Sequence, residues 1–401
     1  MKTVALVAIV VFFQLLCIGA NFTTLKFYAN DLGGTAFQVG LLWAALTIPR
    51  AILSPFWGSL SDRWGRKPLL ILGTIGTIAG STLWAFSATW TMLFFSRIVD
   101  SMLSGQAAVG SAIVGDELPP EKRAAAFGML GASVAMGLTF GPALGGFVAS
   151  AYGFPAVGWA MAIVQAFALL LIIFILPETR KRDERSPANT GIQLPLLQAS
   201  VWRRIFAQRR VAWLLVLGLV MTIGYTHLNT AFPEAMEDWF DWGVDEVKWG
   251  FVVLGFVSAF VQGGAIRPLT KRFSETSLAV VGLIIMCAGF LMLGVKVSPT
   301  FQLVAVGIAA AGGGLALPCY TALISGAAGR DDQGAIMGLS QTAQGFGRGI
   351  GAMAGSVWYA LGPAVPFFAA AGLVALALVP LRLAARGGKG VDLGPSKAEA
   401  S

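Results

Sequence analysis

The sequence predicts an all-α integral membrane protein with twelve transmembrane helices in two pseudo-symmetric six-helix bundles. Three observations support this fold class: an apolar composition, apolar segments of spanning length, and a repeat that relates the two halves of the chain. The 401 residues are 56% hydrophobic and only 12% charged, whereas soluble domains carry roughly 25% charged residues. A water-soluble fold could not bury so much apolar surface, so we expect lipid to surround the helices.

A spanning helix needs about 20 mainly apolar residues. Such segments are predicted over residues 4–29, 37–60, 69–88, 91–115, 124–150, 155–176, 211–236, 246–267, 275–296, 300–324, 334–357 and 362–384. A polar stretch divides them into two sets of six. We therefore predict an N-terminal bundle over 1–176, a cytoplasmic linker over 177–210, a C-terminal bundle over 211–385 and a cytoplasmic tail over 386–401.

Basic residues occur in alternate loops, and cytoplasmic loops carry the excess of Lys and Arg. The loops on one side hold Arg63, Arg66, Lys67, Lys122, Arg123, the basic cluster of the linker, Arg267, Lys271, Arg272 and Arg330. The opposite loops hold only Lys26, Lys248 and Lys296. Both termini are therefore predicted to be cytoplasmic. Because the basic residues lie at helix ends rather than on one face, the net charge of +8 does not indicate nucleic-acid binding.

The two halves match at an offset of about 210 residues. Gly141 matches Gly351, and Gly145 matches Gly355. Six predicted helices separate each pair, so the repeats are parallel. Such repeats enclose a solute site near the membrane midplane, and rocking of one half against the other alternates access to it.

The residues after the second predicted helix have the spacing G-x3-D-R-x-G-R-K, which comprises Gly58, Asp62, Arg63, Gly65 and Arg66. Gly58 and Gly65 permit a tight backbone between two helix ends. Asp62 can accept charge-assisted bonds from Arg66, or sit at a helix N-terminus. A basic loop that only obeys the positive-inside rule would not need this spacing.

The fifth predicted helix is rich in small residues: Gly128, Gly137, Gly141, Pro142, Gly145 and Gly146. Glycines spaced by four form a smooth face that another backbone can approach closely, and Pro142 bends the helix. Ordinary small-residue packing between helices explains the same pattern and does not exclude a function.

These motifs resemble the major facilitator superfamily, and in particular its twelve-helix drug/proton antiporters, including tetracycline-type multidrug exporters. The resemblance implies a conformational latch of Gly58, Asp62, Arg66 and Asp116, which follows the fourth helix. It also implies an antiporter-type fifth helix and a role for Arg97 in proton coupling. The sequence departs from the tetracycline-type pattern at Gln14, where those exporters have an acid.

Four charged residues lie inside predicted spans and away from their ends: Arg50, Arg97, Asp100 and Arg348. A charge at the bilayer centre costs at least about 2.5–3.5 kcal/mol on insertion scales. Arg97 and Asp100 are three residues apart and can pair on one helix face, either as a structural ion pair or as a titrating switch. Arg50 and Arg348 have no partner evident in the sequence. If all three arginines line the cavity, its net positive charge favours an anionic or zwitterionic solute.

His227 is the only histidine and lies in a polar run of the seventh predicted helix. It is either a neutral, hydrogen-bonded cavity residue or a group that titrates near physiological pH. Further predicted cavity residues are Gln14, Asn21, Tyr225, Asn229 and Gln341.

The leading hypothesis is proton-coupled efflux of small amphipathic compounds by a monomer in the bacterial inner membrane. The first alternative is an importer or symporter of a small anionic metabolite, and the second is a non-transporting membrane receptor with a carrier fold. The sequence has no nucleophile elbow, phosphate loop or metal-ligand spacing, so no enzyme is predicted. The expected partners are the solute, protons and the lipid bilayer, and no cofactor is expected beyond the proton gradient.

Overall fold

The computed structural model describes residues 2–117, 120–179, 208–327 and 333–386. These residues form fifteen α-helices and one π-helical turn, with no strand among them. The helices are α1 (Lys2–Asp31), α2 (Ala36–Trp64), α3 (Arg66–Ala85), α4 (Trp90–Met102), α5 (Gln106–Glu117), α6 (Pro120–Tyr152), α7 (Phe154–Phe174), α8 (Arg209–Phe240), α9 (Val244–Phe260), α10 (Ile266–Thr270), α11 (Glu275–Leu293), α12 (Pro299–Ala327), α13 (Gln333–Tyr359), α14 (Val365–Leu376) and α15 (Leu378–Arg386).

The helices are consistent with the twelve predicted spans. In the described part of the chain, nine helices are long and apolar enough to cross a membrane by length and composition. The other three predicted spans correspond to α4 with α5, to α9 with α10, and to α13. The π-helical turn Val261–Ala265 joins α9 to α10. Two predicted spans each consist of two consecutive helices: Leu103–Gly105 separates α4 from α5, and Ala377 separates α14 from α15.

Local sequence explains several helix starts. Thr35 caps α2 in a capping box, because its hydroxyl accepts from the backbone N–H of Gln38 while the Gln38 side chain accepts from the Thr35 N–H. Thr89 and Ser274 cap α4 and α11 in the simpler way, through one side-chain oxygen. Pro155 occupies the first turn of α7, where its missing N–H removes no helical bond.

The chain forms two compact units. Unit 1 comprises residues 1–197 and 241–252, and unit 2 comprises 198–240 and 253–401. The boundary falls inside α9, so the first part of this helix packs with unit 1. The predicted division at a linker over 177–210 stays a prediction.

The internal repeat reappears in the packing within each unit. In unit 1, α1 packs along α6, and α3 packs against α4 and α7. In unit 2, α8 packs along α13, and α11 packs against α12 and α14. The matched glycines lie at these helix crossings: a Cβ on Gly141 would lie 2.6 Å from the Cα of Gly19, and one on Gly351 would lie 2.6 Å from the carbonyl oxygen of Ile223. The repeat seen in the sequence is therefore a repeat of close helix pairs.

Candidate functional site

Arg97 and Asp100 form the predicted ion pair on α4, with 3.9 Å between Arg97 Nη1 and Asp100 Oδ2. The guanidinium also donates to Asn21 Oδ1 at 3.1 Å and to the carbonyl oxygen of Gly80 at 3.2 Å. Its Cζ lies 4.6 Å from the ring centroid of Trp84. Arg97 is 1% exposed, so hydrogen bonds, an ion pair and a cation–π contact replace its hydration.

Arg50 on α2 reaches the same carboxylate, with 3.6 Å between Arg50 Nη2 and Asp100 Oδ2. The sequence had suggested no partner for Arg50, and the structure supplies a carboxylate from α4. Ser101 fixes the backbone here, since its hydroxyl accepts from the Arg50 N–H at 3.0 Å and donates to the Leu46 carbonyl oxygen at 2.8 Å. Arg50, Arg97 and Asp100 form what we call the ion cluster of unit 1, which has two formal positive charges and one negative charge.

Gln14 is buried on α1 and faces the break between α4 and α5. Its Nε2 donates to Gln106 Oε1 at 2.8 Å and to the hydroxyl of Ser104. Within the break, a Cβ on Gly105 would lie 2.6 Å from the ring of Trp57, and the Trp57 N–H donates to the last carbonyl of α4 at 2.9 Å. Side chains from α1 and α2 thus form hydrogen bonds with polar groups at the break, where the helical hydrogen bonds stop.

His227 is buried in unit 2. Its Nδ1 lies 2.8 Å from the carbonyl oxygen of Ile223, and its ring stacks on Trp358 with centroids 5.0 Å apart. A carbonyl acceptor requires a proton on Nδ1, so the neutral ring has its lone pair on Nε2. Tyr225 and Asn229 are half-buried on the same helix. This arrangement supports the interpretation of His227 as a neutral, packed histidine.

Gln341 and Arg348 are exposed on α13. Of the three arginines that the sequence placed inside the membrane, the structure brings Arg50 and Arg97 to one carboxylate. The described residues contain no group of three or more His, Cys, Asp and Glu that could hold a metal ion.

The turn after α2 is shorter than predicted. α2 continues through Gly58 and Asp62 to Trp64, so Gly65, with φ of 101°, is the single residue between α2 and α3. The prediction that Gly58 permits a tight backbone between two helix ends was therefore wrong for this residue, because Gly58 lies inside α2. The side chains of Asp62 and Asp116 lie outside the described part of the structure, and their role in a latch stays a prediction.

Arg66 and Lys67 attach the start of α3 to the end of α7. The Arg66 backbone N–H donates to Glu178 Oε1 at 2.9 Å, and its buried guanidinium donates to Ser61. Lys67 Nζ donates to the carbonyl oxygen of Ile173 at 2.8 Å. Arg63, in the last turn of α2, is half-buried. Glu178 is thus a partner of this motif that the sequence did not reveal.

The glycine-rich face of α6 lies against α1. A Cβ on Gly137 would lie 2.8 Å from the backbone nitrogen of Leu16, and one on Gly145 would lie 2.8 Å from the Cα of Ala20. Pro142 lies inside α6, and its carbonyl oxygen accepts from the Thr23 hydroxyl at 3.0 Å. The surroundings of Gly128 lie outside the described part of the structure.

Gly146, on the same helix, contacts the start of α9 instead. A Cβ on Gly146 would lie 3.1 Å from Cδ of Lys248. Lys248 Nζ lies 2.6 Å from Asp245 Oδ1, 3.2 Å from Ser150 Oγ and 4.7 Å from the ring centroid of Phe147. The sequence identified Lys248 only as a loop cation, because nothing in its neighbours reveals a contact with α6.

Comparison with known proteins identifies the family. The model of the Major Facilitator Superfamily matches residues 7–226 and 214–399. The tetracycline resistance protein, class B, of Escherichia coli is 27% identical over 76% of this chain and 74% of its own length. The quinolone resistance protein NorA of Staphylococcus aureus (strain COL) is 25% identical over 90% of this chain and 91% of its own.

Solved structures agree on the fold. The crystal structure of the human organic anion transporter MFSD10 (TETRAN) matches with a TM-score of 0.73 and 20% identity, covering 96% of this chain and 99% of that one. A POT family transporter in complex with a thioalcohol-conjugated peptide matches with a TM-score of 0.77 and 14% identity, covering 96% and 97%.

The family match and the transporters among its relatives make the chain a multi-pass secondary transporter of small molecules rather than an enzyme. The chain belongs to the Major Facilitator Superfamily. The predicted similarity to tetracycline-type and other drug exporters of this family is confirmed by the resistance proteins that match it.

Proposed function

We propose that the chain exports small amphipathic compounds in exchange for protons by alternating access. It acts as a monomer in the bacterial inner membrane, with both termini in the cytoplasm. The observation that carries the direction of transport is the similarity to bacterial tetracycline and quinolone resistance proteins, which extends over three quarters of the chain or more. The glycine-rich face of α6 agrees with it, because the resemblance to drug/proton antiporters implies an antiporter-type helix at this position.

The ion cluster of unit 1 supports proton coupling. A carboxylate shared by two arginines changes the balance of its contacts when it gains a proton, because a neutral carboxyl group no longer holds either cation by charge. Asp100 is the acid that we propose carries the proton, because this chain has Gln14 where tetracycline-type exporters have an acid on the first helix. His227 is a weaker candidate for proton transfer, because its hydrogen bond to Ile223 and its stack on Trp358 account for its buried position.

A second function, import of an anionic metabolite, is favoured by the excess positive charge of the same cluster. Everted membrane vesicles separate the two. Export predicts that energised vesicles accumulate a fluorescent amphipathic probe and that a protonophore collapses the accumulation. Import predicts that accumulation occurs in right-side-out vesicles only.

The site assignment is tested in a hypersensitive bacterial host that expresses the chain. Asp62→Asn and Arg97→Ala are expected to abolish resistance, while Arg382→Ala, at an exposed arginine of α15, serves as the control. Full resistance in both of the first two variants, at equal expression, would show that neither residue belongs to the transport machinery.

A further inference from the structure

The two arginines of the ion cluster differ in how many of their N–H donors have a hydrogen-bond acceptor. Arg97 donates to Asn21 and to a backbone oxygen of α3, and it lies over an indole ring. Arg50 Nε and Nη2 are buried, yet neither has a hydrogen-bond acceptor among the described residues. The 3.6 Å ion pair from Arg50 to Asp100 is longer than a charge-assisted hydrogen bond of about 2.7–2.9 Å. Arg50 therefore has N–H donors that no acceptor among the described residues uses.

Arg50 is also the more accessible of the two arginines. Its side chain is 22% exposed, against 1% for Arg97. It lies at the centre of α2 (Ala36–Trp64), roughly 21 Å from either end at 1.5 Å per residue. The hydroxyl of Ser101 holds its backbone N–H, which fixes the point from which the guanidinium extends.

The charges of the cluster do not balance. Two guanidinium groups face one carboxylate, which leaves one formal positive charge near the middle of the spanning helices. An isolated charge at that depth is costly, and a planar guanidinium is well suited to hold a carboxylate through two parallel hydrogen bonds. An acidic group on the transported solute would supply both the missing charge and the missing acceptors.

We propose that Arg50 binds the acidic group of the solute, so that the transported compounds are amphipathic organic acids. The inference rests on the proposed transport function and names the substrate class of the same site. Arg97 holds Asp100 and the helices in place, and Arg50 is the arginine that the solute reaches.

Binding of the acidic solute balances the formal charges of the ion cluster. The solute carboxylate accepts hydrogen bonds from the Arg50 guanidinium, while Asp100 keeps its ion pair with Arg97. Two arginines then face two carboxylates, so the cluster with its bound anion has no net formal charge.

The test is a binding measurement on the purified full-length protein in lipid nanodiscs without a gradient. The probes are matched pairs of aromatic carboxylic acids and their neutral primary amides, starting with 2-naphthoic acid and 2-naphthamide. Wild type is expected to bind the acids at least ~10-fold more tightly than the amides, as for one charge-assisted contact. Arg50→Gln is expected to lose this preference, and Arg50→Lys to keep part of it.

Equal binding of acids and amides by wild type, no binding of either, or an acid preference retained in Arg50→Gln would overturn the proposal. Thermal melting of each variant shows that it is folded, and Arg50→Gln/Asp100→Asn removes one charge of each sign if the single variant is unstable. These measurements need no transport, so a failure of vesicle export is distinguishable from a failure of acid binding.

Discussion

Gly19 on α1 and Gly141 on α6 pack backbone against backbone. A Cβ placed on Gly19 would lie 2.9 Å from the Cα of Gly141, and one placed on Gly141 would lie 2.6 Å from the Cα of Gly19. Side-chain carbons do not approach a backbone so closely, so the crossing requires glycine on both helices. The Thr23 hydroxyl adds a hydrogen bond to the carbonyl oxygen of Pro142 beside it. The contact thus sets the distance between two helices of unit 1.

Gly141→Ala is expected to destabilise unit 1 by about 1–3 kcal/mol, the usual cost of overpacking, and to lower the apparent melting temperature in detergent. Gly131→Ala is the matched control, since Gly131 lies on the same helix with nothing within 4 Å of its virtual Cβ. A helical alanine there is expected to be neutral or slightly stabilising. Equal melting temperatures for the two variants would contradict the importance of the crossing.

Much of this fold can be predicted from sequence because lipid imposes simple rules. Spans of about 20 apolar residues must be helical to satisfy their backbone groups, and the glycines of α6 indicate a close helix contact before its partner is known. The Arg97–Asp100 pair is also predictable, since i,i+3 spacing places both side chains on one face.

Contacts between distant segments could not be predicted in the same way. Arg50 meets Asp100 from another helix, and no spacing rule connects the two positions. The break after Met102 is another example, because the segment contains no proline and Gly105 is one of 50 glycines. Such features depend on the packing of neighbours such as Trp57, which the local sequence does not specify.

The start of α3 offers a second test. Gly65 precedes the helix and makes no side-chain cap, so the carboxylate of Glu178 accepts from the first N–H, that of Arg66. Glu178→Ala is expected to cost about 0.5–2 kcal/mol, as for loss of a helix cap. Glu178→Gln is expected to cost less, because it keeps an oxygen and loses only the charge at the helix N-terminus.

Hydrogen exchange at the amides of the first turn of α3 measures this effect. The exchange should be faster in Glu178→Ala than in Glu178→Gln. Thr179→Ala, at the next residue, is the control and should leave the exchange of that turn unchanged. Unaltered exchange in Glu178→Ala would mean that another group caps the helix.

The stack of His227 on Trp358 yields a prediction that separates packing from proton transfer. His227→Phe keeps an aromatic ring against the indole, so folding and probe efflux are expected to be retained. His227→Ala leaves a cavity and is expected to lower stability by roughly 2–4 kcal/mol. Thermal melting and vesicle transport of both variants provide the measurement. A folded His227→Phe variant that has lost proton-driven efflux would instead assign the proton to this ring.

The contact between Asp245 and Lys248 at the start of α9 predicts a pH dependence. The hydrogen bond from Lys248, with a further one from Ser150, holds the pKa of Asp245 below its ordinary value of 3.8. A carboxyl group with a depressed pKa stabilises the fold only when ionised, so its contribution is present at neutral pH. That contribution is lost as the pH falls below about 4 and through the lowered pKa.

Asp245→Asn is therefore expected to melt at a lower temperature than wild type at pH 7, by an amount that stays constant down to about pH 5. The difference should shrink as the pH falls further, because protonation makes the wild-type group neutral as well. Glu246→Gln neutralises an acid of the same helical turn whose carboxylate bonds to the Gly243 N–H rather than to Lys248, and it provides the control. A difference for Asp245→Asn that grew towards low pH would contradict the sign of the shift, and with it the assignment of Lys248 as the partner of this carboxylate.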